Sequence, residues 1–489
     1  MASAPIFSQE KATSPAQKGS ALKQRRKGRD EGVSSSVKAL QNEEASQNEM
    51  AFASLGTSES LPPLSPANED EDRAKKARNA RYSLLRELSR NIWNTKLPLH
   101  SARHCSRRAI PSERRLPDGS IIATKMPGTI QIQHREKTHS HNYHGLSRCA
   151  SALVCPVCSA IIQTRRAAEA VIAGQYLLQH GFQVAMITQT ASHSRATSLY
   201  DFVQRFQAAQ HDLKKTRQYR NWMNKTGGRF TIRAVETTDD KPEYEGKKSG
   251  WHFHAHTLVF FERESAFTEQ EVKHFTELFQ RMWIKALDGV GLSGSLERAA
   301  DVSLPRANNL LDETRATENE ENLKNLCAYI SKAFGWEVSG GRSKKGKEED
   351  RRISVWELQE AALGDRPDLL WRYAEYMRAV RGLNWIRWSQ GLKDFCGIKE
   401  VSDEELLKGE EGDEVVWEFT NASFKKIWAG GYQGKLIEVA DAGGTKALEK
   451  AIMTIYLDCD PDTGEVKRLK RDLYYRADST CKCNTLKVE

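Results

Sequence analysis

Apolar positions follow three regimes along the chain. Residues 1–72 show no period, are rich in Ser, Ala, Glu, Gln and Lys, and group their prolines in LPPLSP. Such a stretch buries too little apolar surface to offset the entropy of ordering, which predicts a disordered tail. RAKKARNARYSLLRELSRNIW (73–93) then reads as a short helix with a basic face. From 100 to 149 the chain is turn-rich, and beyond it regular periods begin. Residues up to the stop at Gly181 carry an amphipathic helical pattern. QVAMITQTA (183–191) reads as a strand, and Leu199, Phe202, Val203, Phe206 and Leu213 recur at helical spacing. RFTIRAVETT (229–238) and GWHFHAHTLVFF (250–261) predict two more strands across a polar loop, and helices follow at 268–286 and about 319–337.

That order predicts an α+β fold with the strand pair antiparallel. GGRSKKGKEEDRR (340–352) reads as a linker, followed by a tryptophan-rich helical segment. An acidic break, EELLKGEEGDE (404–414), sets off a small C-terminal unit with the basic tail VKRLKRDLYYR. The expected organisation is a tail (1–72), a basic helix with a histidine-rich region (73–148), a principal domain (149–339), a linker with the Trp-rich segment (340–400) and a C-terminal unit (401–489).

A chain of 489 residues points to two or three folded units, and 28% charged residues point to a soluble one. No run approaches the ~18 apolar residues of a membrane span, and the first residues do not read as a secretory signal. With 74 Lys+Arg against 65 Asp+Glu, the net charge of +9 permits nucleic-acid binding without requiring it. Nine cysteines, sparse and odd in number, fit a reducing cytoplasm.

The sharpest chemistry lies in His252-Phe253-His254-Ala255-His256. On a strand the three imidazoles share one face, and Phe253, Ala255, Thr257 and Val259 share the other, which can pack on a helix. Imidazoles two residues apart lie close enough to share a divalent ion. Glu236, in the preceding strand, is the candidate third ligand. Two histidines and a carboxylate leave positions open for a substrate oxygen, suiting Mg²⁺ or Mn²⁺ held against phosphate. In ENLKNLCAYISKAFGW, Tyr329 and Lys332 are neighbours on a helix. A tyrosine becomes a nucleophile at neutral pH only where a cation or metal favours the phenolate.

Together, GWHFHAHTLVFF and AYISKAFGW, with VCPVCSAIIQTRR and ITQTASH upstream and WELQEAALGD, WRYAEYMRAVRG and WSQGLKD downstream, resemble the plasmid rolling-circle replication initiators of the HUH endonuclease superfamily. The resemblance spans residues 149–395 and is to the single-tyrosine Y-x-x-K type. It implies a central antiparallel sheet flanked by helices and an origin-specific nickase. By it, His254 and His256 bind the ion, Tyr329 attacks a phosphodiester to form a 5′-phosphotyrosine, and Lys332 orients or steadies the tyrosine. It also implies a plasmid-associated bacterial protein working on single-stranded or supercoiled origin DNA with a host helicase and polymerase. Where some relatives carry a closing glutamate or second tyrosine, this chain has Asn325, with Glu321 a further turn back. Glu321 and a second subunit, in a dimer on DNA, are the open routes to closing.

Cys149, Cys155 and Cys158, with one of His139, His141 and His144, have the makings of a structural zinc site; reduced thiols at a helix start are the alternative. Arg342, Lys344, Lys345, Arg351 and Arg352 are candidate DNA contacts, and the tryptophans among them are expected to pack mainly as core. Three other functions compete: a single-tyrosine HUH transposase, a histidine-triad nucleotide hydrolase with His254 as nucleophile, and a non-catalytic zinc-stabilised DNA-binding protein.

Overall fold

The computed structural model describes residues 69–116, 121–136, 139–193, 197–240, 250–263, 265, 267–303, 352–408 and 414–457. Most of the expected tail, the helix at about 319–337 and the basic end of the chain lie outside these residues.

Helix α1 (Glu69–Trp93) buries Tyr82, Leu85, Leu88 and Ile92 along one face. Strands β1 (Pro111–Arg115) and β2 (Ile121–Pro127) form a hairpin, and β3 (Ile130–Arg135) pairs antiparallel with β4 (Ser140–His144). Helix α2 (Pro156–Gln179) opens on Cys155 as cap with Pro156 in the first turn, where the missing N–H costs nothing, and stops before Gly181 at φ 79°.

Next come β5 (Phe182–Gln189), α3 (Leu199–Lys215), α4 (Arg217–Thr226), β6 (Gly228–Asp240), β7 (His252–Glu262), α5 (Glu269–Gly289) and β8 (Ala300–Ser303). After residue 351 follow β9 (Arg352–Ser354), α6 (Val355–Leu363), α7 (Leu370–Ala379), β10 (Ile386–Trp388) and α8 (Leu392–Phe395). The chain closes with α9 (Asp403–Lys408), β11 (Glu414–Phe419), α10 (Asn421–Gly430) and α11 (Gln433–Leu457). The fold is α+β, with antiparallel sheets flanked by helices.

The central sheet runs β10-β6-β7-β5-β8, with β9 sharing the β6 edge, and its pairings are antiparallel. Alternation on β7 sends Phe253 towards α3, where its ring meets Phe206 edge-on at 5.2 Å, and Phe206 in turn meets Trp283 of α5 at 5.1 Å. Burying such side chains stabilises by about 1.5–3 kcal/mol each. On the other face, Phe182 and Phe230 pack under Phe395 of α8, with ring separations of 6.0 and 5.0 Å, while the histidines occupy the far end of β7. One sheet face is thus apolar at one end and polar at the other.

Strand pairing crosses the expected boundary at 401. Strand β11 pairs with β3, from Ile130↔Phe419 to His134↔Glu414, so the order β11-β3-β4 joins the histidine-rich region to the C-terminal segment. A two-stranded pair has an unsatisfied edge and little independent stability, and β11 completes it. Helix α11 lies along α1, where Arg78 pairs with Asp441. A Cβ on Gly434 would stand 2.4 Å from the Asn79 carbonyl oxygen, so this close approach needs glycine.

In the Trp-rich segment Trp385 is buried but Trp371 is 60% exposed, so only part of the tryptophan set is core. Tyr373 and Tyr376 are fully buried, and the Tyr376 hydroxyl donates to the Leu153 carbonyl at 3.0 Å. Arg372 of α7 grips the buried Asp239 of β6 with Nε and Nη2 at 2.5 and 2.7 Å and donates to Glu375 at 2.8 Å. That guanidinium ties helix to sheet and is committed inside the protein rather than offered to DNA. Arg372→Ala leaves Asp239 buried and uncompensated, and unfolding in denaturant should show a loss of about 3–5 kcal/mol. Among the described residues no helix is long and apolar enough to cross a membrane.

Candidate functional site

The register of β6 against β7 places Glu236 directly opposite His254, and Ala234 opposite His256. A carboxylate therefore stands across from one histidine and diagonal to the other, with a small residue between. Both imidazoles turn their Nε2 atoms to the same oxygen: His254 Nε2 lies 2.8 Å and His256 Nε2 3.2 Å from Glu236 Oε2. On the other side Thr188 of β5 meets His256 Nδ1 through Oγ1 at 3.1 Å, which orients the ring and leaves Nε2 towards the carboxylate.

Burial would raise the Glu236 carboxyl, but the His254 imidazole, and then His256, hold it well below the usual carboxylate range. The carboxylate is therefore ionised at neutral pH. One ligand atom from each of Glu236, His254 and His256 lies within 4.8 Å of the others. That convergence, with two imidazole nitrogens and one charged oxygen, fits a divalent cation, and His254 Nδ1 is buried without a hydrogen-bond partner among the described residues.

His252 stays outside the triad. Its ring lies 4.9 Å from that of His254 and 5.2 Å from that of His193. Burial first, then His254, Arg352 and His193, push its imidazole down to about 3, so it is neutral. His193, in the loop after β5, is lowered too, mainly by burial. Sequence reasoning did not single out His193 as a site residue; its position in ITQTASH, beside a strand end, was the available signal.

Tyr329, Lys332, Arg342, Lys344, Lys345 and Arg351 lie outside the described residues. Arg352 is on β9, where it lies 3.5 Å from Asp240 and donates to the Gly250 carbonyl at 3.2 Å, close to where the loop between β6 and β7 leaves the sheet.

The second cluster joins Cys105, Cys149, Cys155 and Cys158. Sulfur separations are 3.5 Å for Cys105–Cys158, 3.6 Å for Cys105–Cys155 and 3.8 Å for Cys149–Cys158. Four thiolates around zinc at about 2.3 Å stand about 3.8 Å apart, whereas a disulfide needs about 2.05 Å. The set therefore fits a closed tetrahedral zinc site. Cys155 caps α2, its sulfur accepting from the Cys158 N–H at 3.5 Å, but burial first and then the neighbouring thiols push the Cys155 thiol well above its ordinary value. The three neighbouring thiols draw the Cys105 thiol well below its ordinary value.

The fourth side chain brought to this cluster is Cys105, and none of His139, His141 and His144 joins it among the described residues. The His141 Nδ1 lies 3.1 Å from Asp441, and its backbone N–H donates to the same carboxylate at 2.8 Å. His139 is exposed in a turn at φ 41°, and His144 faces a different cavity. Cys105 stands alone in a turn-rich stretch, so no spacing announces it; it arrives through the short helical turn Ser101–His104 packed beneath α1.

No protein-family model matches the chain, and no solved structure does. The chain is similar to a protein of Streptomyces lividans named Protein rep, 23% identical over 343 residues, which are 60% of this chain and 72% of that protein.

Proposed function

We propose that this chain is a replication-associated protein of the Rep type that nicks DNA with Tyr329 at a site organised by Glu236, His254 and His256. The observation that carries the reading is the meeting of two imidazole nitrogens and one ionised carboxylate at a single point on the central antiparallel sheet. The similarity to Protein rep of Streptomyces lividans supports it from a separate direction. Further support comes from topology. Segment 304–351, which contains Tyr329 and Lys332, is flanked by β8 and β9 on opposite edges of that sheet, and Asp301 of β8 shares a row with Thr188 and His256.

In this reading Glu236, His254 and His256 hold Mg²⁺ or Mn²⁺, which would supply Lewis-acid neutralisation of charge on a non-bridging phosphate oxygen. Thr188 keeps the His256 ring aimed, and neutral His252 adds no competing charge beside the cation. The Tyr329 oxygen, having lost its proton, bonds to phosphorus as the P–O3′ bond breaks. The departing oxygen takes up a proton to become a free 3′-OH, and the 5′-phosphate stays on the tyrosine. Lys332 stabilises the phenolate. A host polymerase would extend the 3′-OH, and closing would draw on Glu321 or on a second subunit's tyrosine.

The test is mass spectrometry after incubation with single-stranded DNA carrying the candidate origin and Mn²⁺. An adduct on Tyr329 is expected, and Tyr329→Phe should lose it entirely while DNA binding stays within about twofold. Retention of the adduct in that variant would remove the nucleophile assignment, and nucleotide on His254 would move the protein to the histidine-triad chemistry.

A further inference from the structure

The last residue of α1, the loop around Cys105 and helix α10 meet through interleaved indoles and guanidinium groups. The Arg103 guanidinium lies 4.7 Å from the centre of the Trp93 ring. That of Arg107 lies 5.4 Å from the same ring and 4.6 Å from the ring of Trp428, so one cation bridges two tryptophans. His104 meets Trp93 edge-on at 5.3 Å, and the Trp93 Nε1 donates to the Arg103 carbonyl at 3.3 Å.

Core packing does not account for these positions. Trp93 is 45% exposed, Arg103, Arg107 and Trp428 are half-buried, and Arg108 is exposed. Trp283 of α5, by contrast, is fully buried. An indole left open at the surface forgoes the stabilisation that burying its ring would bring.

The charge here is one-sided. Arg107 and Arg108 make no hydrogen bond or ion pair through their side chains among the described residues. A ring held against a guanidinium attracts it without cancelling its charge. Glu87, the acid within residues 86–93 of α1, is shared between Arg86 and Arg90. Burial first, then Arg103, Arg108 and Arg107, lower the His104 imidazole, and no acid opposes them. Cys105 stands between Arg103 and Arg107 in the chain and is buried against the other sulfurs, which fixes the backbone carrying both arginines. Groups held in place beforehand lose less entropy on binding.

Ring surface and positive charge together narrow the occupant. Unpaired bases stack on aromatic faces while their phosphates meet cations, whatever the sequence. A duplex keeps its bases stacked inside and offers only phosphates, and an acidic peptide offers charge without rings. We propose that Trp93, Arg103, Arg107, Arg108 and Trp428 form a surface for single-stranded DNA, its bases on the indoles and its phosphates on the guanidinium groups. The choice of DNA rests on the nicking reading, but the surface shares no residue with Glu236, His254 or His256.

Fluorescence anisotropy of a labelled oligothymidylate of about twelve nucleotides, a length within the usual single-strand site sizes, tests it. The full chain is used in buffer without added Mg²⁺ or Mn²⁺, with circular dichroism as the folding control. Trp93→Ala should weaken binding about tenfold, the size of one lost base stack, and Trp93→Phe, which keeps a ring, should retain most of it. Arg108→Ala should lower the slope of log affinity against log salt by about 0.7, the share of one phosphate contact on a single strand. Trp371→Ala, at the exposed tryptophan of α7, leaves binding unaltered. A duplex of the same length should bind at least tenfold more weakly. The His254→Ala/His256→Ala chain should bind as the wild type does, so a failed nicking assay leaves this test intact. Absence of oligothymidylate binding, duplex binding as tight, displacement of the DNA by oligoglutamate at equal concentration, or the same loss in Trp93→Ala as in Trp93→Phe or Trp371→Ala would each overturn the proposal.

Discussion

Mn²⁺-dependent nicking should fall by roughly three orders of magnitude or more in the His254→Ala/His256→Ala chain, the size of effect seen when a preorganised electrostatic stabiliser of a transition state is lost. Glu236 alone offers one oxygen, and a single carboxylate holds a divalent ion only weakly against water. The change should leave the fold intact. The core packing of β7 belongs to Phe253, Ala255, Leu258, Val259 and Phe260, and His256 is only partly buried. Removing both rings also removes the neighbours that hold the Glu236 carboxyl low, so it should move up towards the value burial dictates. A gel assay of origin cleavage across a Mn²⁺ titration, with circular dichroism as the folding control, reads the outcome. Wild-type cleavage persisting in chelator would remove the metal from the mechanism.

Cys105→Ser should empty the cysteine cluster. A closed tetrahedral zinc site uses all four thiolates, and structural zinc supplies roughly 10–16 kcal/mol to small modules, so losing one ligand should cost several kcal/mol and most of the bound metal. The damage would spread beyond the cluster. Gln433 of α11 donates to the Ser106 carbonyl at 2.7 Å, and Arg148 bonds to the Ser106 hydroxyl, so the loop after Cys105 helps seat both α11 and the approach to α2. Metal analysis and thermal unfolding of Cys105→Ser beside His139→Ala make the comparison. One zinc per wild-type chain, little in the serine variant and a full complement in the alanine variant are expected. Equal zinc in all three would refute the four-cysteine site.

The strands and helices of the central sheet were legible because their periods are strong. The apolar stripe Leu199, Phe202, Val203, Phe206 and Leu213 is buried along α3 as the spacing implies, and β5, β6 and β7 fall within two residues of their expected spans. What hid the outer layer was distance along the chain. Strand β11 is six residues long and follows an acidic break, and nothing in its composition says that its partner is β3. Long-range pairing of short strands leaves no local trace.

The same division runs through the two clusters. The histidines of β7 were readable because alternation on one strand places His254 and His256 side by side whatever else the chain does, and Glu236 followed from its place on the neighbouring strand. Cys155 and Cys158 were readable as a pair at the start of a helix. The register that sets Glu236 against His254, the arrival of Cys105 at the other sulfurs and the capture of His141 by Asp441 were decided only in three dimensions. The reason is physical: periodicity orients side chains within one element, whereas a site assembled from several elements is defined by how their backbones pair and pack, and that depends on residues hundreds of positions apart.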